Sequence, residues 1–190
     1  MTVVSFYSLA QSPATGADRG GIGIRAGGNF FNFGGNDAPS NDYNNRIGFN
    51  AGLYSTIYLG ESLAIEPGVF YAVKGTQNND LSNSRAILSY VDVPVVFRVF
   101  AGDNFNIMFG PQLSVLTGSR FEGDLFGSTF TFDTNSISQT DFGLLFGLAY
   151  TLPKGLNIQG AYNYGMSKVF RNSNAEIYNR GFTVSLGYTF

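Results

Sequence analysis

Residues 86–118 read AILSYVDVPVVFRVFAGDNFNIMFGPQLSVLTG. Two apolar runs flank Ala101-Gly102-Asp103, a tripeptide of the residue types that tight hairpins use. In the first run Val91, Val93, Val95, Phe97 and Val99 recur at every second position, with Asp92 and Arg98 on the other parity. In the second, Phe105, Ile107, Phe109, Leu113 and Val115 alternate with Asn106, Gly110, Gln112 and Ser114. A period of two sends the two sets to opposite faces of a strand, whereas a helix would mix them. The stretch therefore predicts an antiparallel hairpin with one face wholly apolar and the other carrying charge.

Working outward, the same period runs from Gly21 to Phe190. It predicts about eight strands, near 21–33, 45–59, 62–75, 86–100, 104–118, 140–151, 155–168 and 179–190. Their connections alternate in length. Gly60-Glu61, Ala101-Gly102-Asp103 and Pro153-Lys154 are tight turns. Longer polar stretches run from Gly34 to Asn44, Thr76 to Arg85, Ser119 to Gln139 and Val169 to Tyr178. Short turns at one end and long loops at the other suit a transmembrane barrel, with turns and both termini periplasmic and the loops extracellular. The third long connection carries Phe121, Leu125, Phe126, Phe130 and Phe132 around Gly123 and Gly127, and is expected to extend as a hairpin. Its aromatics form either a packed cluster or part of a partner-binding surface.

The parity of the apolar set decides which medium the outside meets. Ile22, Ile24 and Phe30 share it with Ile47, Phe49, Leu53, Ile57, Leu63, Ile65, Val69, Tyr71 and Val73. Phe142, Leu144, Phe146, Leu148, Tyr150, Leu156, Ile158, Tyr162, Tyr164 and Met166 continue it, then Phe182, Val184, Leu186, Tyr188 and Phe190. No charge interrupts the set; one Arg or Lys at a bilayer midplane costs about 2–4 kcal/mol. A soluble ligand-binding barrel reverses this arrangement, apolar inside and polar outside. So wide an apolar face cannot close inside so few strands. The reading is an all-β, eight-stranded, antiparallel up-and-down transmembrane β-barrel over residues 21–190. Aromatics near both strand ends fit two interfacial girdles.

The opposite parity is expected to be small and polar. It places Arg25, Arg46, Glu66, Lys74, Asp92, Arg98 and Asp141 in a lumen that side chains just fill. Buried charges persist when paired and hydrogen-bonded, which predicts ion pairs from Glu66, Asp92 and Asp141 to the Arg and Lys side chains. The network is either a structural plug or a small conduction or ligand path.

Composition narrows the classes further. Gly at 25 residues and aromatics at 16% exclude a helical bundle and a disordered chain, and charged residues are only 13%. A net charge of −2 gives no footprint for nucleic acid. With no Cys and no His, disulfides, thiolate or imidazole metal sites and His-dependent triads are absent. No cofactor is implied. Mean hydropathy is +0.03, and no apolar run approaches a helical span of about 20 residues. Residues 1–10 (MTVVSFYSLA) end in Ser8-Leu9-Ala10, as the tail of a secretory signal does, or they are a mildly apolar terminus; residues 11–20 read as a polar linker.

Three other motifs carry no chemistry. The glycines between Gly21 and Gly28 lack the preceding strand and following helix of a dinucleotide loop. Glu122 and Asp124 lack the frame of a glycosidase pair. Asp37, Asp42, Asp80 and Asp133 are acidic enough to bind a divalent cation weakly at the cell surface, but they form no recognised cation loop.

Four segments carry a family resemblance: residues 23–30 (GIRAGGNF), Tyr90-Val91-Asp92-Val93-Pro94-Val95, Gly110-Pro111-Gln112-Leu113, and Leu186-Gly187-Tyr188-Thr189-Phe190. Together they resemble the PorT-like outer-membrane β-barrel domain family of Bacteroidetes-type bacteria, over essentially all of 21–190. The resemblance implies an eight-stranded barrel inserted by the outer-membrane assembly machinery, which reads a C-terminal strand ending in an aromatic. Tyr188 and Phe190 match that signal. It also implies outer-membrane lipid as surroundings and other outer-membrane proteins as candidate partners, some members being linked to type IX secretion or gliding. The expected role is a non-enzymatic structural or interaction one, as an accessory subunit of a secretion or uptake complex; a narrow pore for ions or small solutes is the alternative.

Overall fold

A computed structural model describes residues 20–36, 38, 44–78, 84–125, 128–133, 137–170 and 175–190. The expected signal remnant at 1–10, and all of the linker but Gly20, lie outside the described residues. The strands are β1 (Gly21–Gly34), β2 (Asn44–Tyr58), β3 (Leu63–Asn78), β4 (Ser84–Ala101), β5 (Phe105–Leu125), β6 (Ser128–Asp133), β7 (Thr140–Thr151), β8 (Leu156–Lys168) and β9 (Tyr178–Thr189). Each of β1 to β5 pairs antiparallel with the next; β5 then pairs with β7, β7 with β8 and β8 with β9. β9 returns to β1, from Gly23↔Thr189 to Gly34↔Tyr178, so the eight-stranded barrel is closed and has no edge within it.

The turns are as short as their residues demand. Leu59 N–H donates to Leu63 O at 2.8 Å across the β2–β3 turn, and Leu152 N–H to Leu156 O at 2.7 Å across the β7–β8 turn. Gly102, between β4 and β5, sits at φ 78°, where a side chain would be strained. At the other end the strands run past the apolar belt. β5 continues to Leu125 and β6 folds back on it, Arg120↔Asp133 through Leu125↔Ser128. This is the hairpin expected of the third long connection.

Outward positions are apolar and exposed on every stave of the barrel: Ile22 and Ile24, Phe49 and Leu53, Val69, Val93 and Val99, Ile107 and Leu113, Phe146 and Leu148, Ile158, Val184 and Leu186. In water so continuous a patch would drive association, so this surface belongs in a bilayer. Aromatic pairs mark its margins, Phe97 with Phe109 at 5.8 Å, Tyr188 with Phe190 at 5.3 Å and Tyr162 with Phe182 at 4.8 Å between ring centroids. Val73, expected on this face, is instead buried. It follows Ala72, which pairs with Asn50 where the β2–β3 register shifts.

Candidate functional site

Among the described residues buried charge concentrates in the bore, which is built in layers. Toward the tight turns, Glu66 of β3 is gripped by two guanidinium forks. Arg25 donates from Nη1 to Oε1 at 2.7 Å and from Nη2 to Oε2 at 3.2 Å. Arg98 donates from Nε to Oε2 at 2.8 Å and from Nη2 to Oε1 at 2.9 Å. Thr56 Oγ1 adds a donor to Oε2 at 3.2 Å. Bidentate, charge-assisted contacts of this kind are the strong ones. Amide oxygens meet the outer edges of the forks, while Arg25 Nε is left without a partner. Arg98 Nη1 reaches Asn106 Oδ1 and its Nη2 reaches Gln159 Oε1, both at 2.8 Å, while Arg25 Nη2 reaches Asn157 Oδ1 at 3.3 Å. The Arg25 guanidinium also lies 3.9 Å over the Tyr54 ring, whose hydroxyl takes Asn157 Nδ2 at 2.8 Å and bonds Thr189 Oγ1 at 2.9 Å. One carboxylate thus ties together β1, β2, β3, β4, β5, β8 and β9.

The middle layer has two unlike walls. One is a chain of amides and hydroxyls: Asn50 Nδ2 donates to Asn29 Oδ1 at 2.7 Å, Thr183 Oγ1 to the same oxygen at 3.2 Å, and Asn163 Nδ2 to Thr183 Oγ1 at 3.1 Å. Asn29 Nδ2 donates to the Phe49 and Val73 carbonyls at 3.0 and 3.2 Å, which anchors the chain to β2 and β3. The other wall is apolar, built from Phe70 and the packed group Val96, Met108, Leu145, Ala149 and Ala161. Between the walls lies a cavity of about 50 Å³, room for a few waters.

Toward the loops, Lys74 Nζ donates to Asp92 Oδ1 at 2.8 Å and to Ser114 Oγ at 3.1 Å, with the Phe31 and Tyr90 rings about it at 5.3 and 5.0 Å. Asp141 does not join an ion pair among the described residues, contrary to expectation. Its Oδ2 accepts from Asn179 Nδ2 at 3.1 Å, and the same amide donates to the Tyr90 hydroxyl at 3.2 Å. The amide of Asn179 takes the place that a cation was expected to fill. Arg46, half-buried at the rim, donates to the Lys74 carbonyl at 3.5 Å rather than to one of the three acids named.

Above this layer the bore ends in an apolar plug of Phe33, Ala86, Leu88, Tyr90, Ile137, Val169 and Ile177. The inward parity is therefore not uniformly small and polar. Phe70, Met108 and Leu145 in the wall, and Phe33 and Leu88 in the plug, are large apolar side chains that alternation alone sorts poorly. Stretches such as Val93-Pro94-Val95-Val96-Phe97, apolar on both parities, are the signal that marks an apolar inner wall.

Comparison with known proteins fits this architecture. Residues 9–171 match the model of the outer membrane protein beta-barrel domain family. Neisserial surface protein A has a similar structure, with a TM-score of 0.57 at 16% identity over 89% of this chain and 97% of that one. Ail, the attachment invasion locus protein of Yersinia pestis, gives a TM-score of 0.53 at 14% identity over 90% and 99% of the two chains. Comparison with curated protein sequences finds no match. At such identities the structural likeness speaks for the fold alone. The family match covers most of the chain, and with the closed barrel and its apolar belt it leads to one conclusion: this chain belongs to the outer membrane protein beta-barrel domain family and is a bacterial outer-membrane β-barrel.

Proposed function

We propose that this barrel is a non-catalytic structural and interaction protein, an accessory subunit of a larger secretion or uptake complex. The observation that carries the reading is the filled bore. A layer locked by Glu66, a second held by Lys74 and Asp92, and the Phe33–Leu88 plug stand in series between its two ends. On this reading the bore does not conduct, and the surfaces left to act are the loop ends, the strand extensions beyond the belt and the turns. The resemblance to PorT-like barrels, some of them linked to type IX secretion, supports a role within a complex. The reading places the long loops outside the cell and both termini in the periplasm, as tight periplasmic turns favour. Two measurements test it together. In planar bilayers the purified protein is expected to give no steady ohmic steps, and extraction of native membranes in mild detergent is expected to retain a stoichiometric partner. Regular conductance steps without a co-purifying protein would overturn the proposal in favour of a narrow pore.

The C-terminal strand supports a second part of the same reading, insertion by the assembly machinery. Tyr188 and Phe190 both project outward from the end of β9, and Phe190 N–H donates to Ile22 O at 2.9 Å beside the closing seam. Phe190→Ser is expected to lower the yield of heat-modifiable barrel in the outer membrane several-fold, while the same variant refolds normally from urea into detergent. An unchanged yield in cells would remove the assembly role.

A further inference from the structure

The outer wall near the loop ends of β8 and β9 holds a cation that no described residue neutralises. Arg180 shares its parity on β9 with Phe182, Val184 and Leu186, all exposed, and so faces away from the bore. Its guanidinium lies 4.1 Å over the Tyr164 ring and 5.3 Å from that of Tyr178. Among the described residues it has no ion pair or hydrogen-bond acceptor, and its Nε is buried without a partner. Gly34 leaves space beside it, since a Cβ there would stand 3.3 Å from Arg180 Cδ. Exposed Lys168 stands opposite Tyr178 in the register. The acidic residue closest in sequence is Glu176, just before β9, whose carboxylate accepts from Asn36 Nδ2 at 2.7 Å.

The height of this group on the wall matters. At about 3.3 Å per residue and a tilt near 40°, Arg180 stands about 25 Å above Phe190, one belt height, and so at the level of lipid headgroups. A cation costs little there, and two aromatic faces restrain the guanidinium while its terminal Nη donors keep no acceptor among the described residues. A planar fork with free donors matches a phosphate.

We propose that Arg180, held by Tyr164 and Tyr178 and flanked by Lys168, binds the phosphate of an anionic lipid at the loop-side margin of the barrel. The test is native mass spectrometry of the intact protein released from phosphatidylcholine nanodiscs doped with lipid A, a phosphorylated glycolipid. Wild-type protein is expected to retain lipid A. Arg180→Gln is expected to retain about fivefold less, the factor for one cation near a charged headgroup. Arg180→Lys should keep part of the binding, Tyr164→Leu should lose part of it, and Lys154→Gln at the opposite end should match wild type. Heat-modifiable mobility establishes that each variant is folded; if Arg180→Gln fails to fold, Tyr164→Leu carries the test. Equal retention by wild type and the folded variants at this site would overturn the proposal, as would an equal loss in Lys154→Gln. Displacement of lipid A by millimolar inorganic phosphate would also overturn it, since the site would then serve a soluble anion.

Discussion

Glu66→Ala is expected to lower the unfolding free energy of the barrel by about 3–5 kcal/mol, the usual cost of removing one partner of a buried ion pair. The reason lies in the stoichiometry of the site. Arg25 and Arg98 both aim their forks at one carboxylate, and all three side chains are almost wholly buried. Without Glu66, two guanidinium groups face each other in a low-dielectric bore, and Asn157, Asn106 and Gln159 offer only neutral acceptors. The measurement is a urea titration of the barrel in phosphatidylcholine vesicles, read by gel mobility of unheated samples. A double-mutant cycle of Glu66→Ala with Arg98→Met adds a sharper condition. The coupling should exceed about 1 kcal/mol, because removing one guanidinium relieves part of the repulsion that the first substitution creates. Single-mutant losses below 1 kcal/mol would mean that water enters this layer and that the triad is no lock.

The second large effect concerns the outer wall. Val184→Arg should cost about 2–4 kcal/mol in a bilayer, whereas Leu59→Arg at the turn end should cost about 0–1 kcal/mol. Val184 is 50% exposed, and its neighbours across both seams are glycines, Gly28 on β1 and Gly160 on β8. An arginine there finds no carboxylate or amide in either adjacent position and must reach along the wall toward a headgroup. The pair of substitutions reads depth directly, by urea unfolding of both variants in the same vesicles. If Val184→Arg is neutral while Leu59→Arg is costly, the belt has been placed wrongly on the strands.

Much of this molecule is legible in its sequence because a barrel wall has only two faces and a fixed period. The strands, the tight turns, the outward Phe, Val and Leu set and the inward position of Arg25, Glu66, Lys74, Asp92, Arg98 and Asp141 all follow from parity. Partnership within the bore does not, because it depends on which strands lie across from one another and at what height. Arg25 and Glu66 meet across two staves, and Arg25 meets Asn157 only after the barrel closes. Asp141 shows the limit from the other side. Its charge suggests a cation as partner, yet the residue that reaches it is Asn179, a side chain with no charge to betray it. The apolar wall and plug escaped for a related reason. Leu88 and Tyr90 sit where β4 is apolar on both parities, and the register shift between Ser89 and Tyr90 breaks the simple alternation there. Arg180 lies on the apolar parity of β9, just before the apolar set that begins at Phe182, and the sequence reading passed over it; its use emerges only when Tyr164 and Tyr178 are seen on either side of it.

The unequal strand lengths give the barrel a slanted rim. Among the residues whose side chains are described, the outward apolar set of β5 ends at Val115, yet the strand runs on to Leu125, about 30 Å further along its own axis, and β4 accompanies it as far as the pair Arg85↔Glu122. Beyond β5 in the barrel, β7, β8 and β9 are only 12, 13 and 12 residues long. Among the described residues the wall therefore stands as a parapet along one flank and as a low threshold along the other. The low flank of this described wall is the one that carries Arg180.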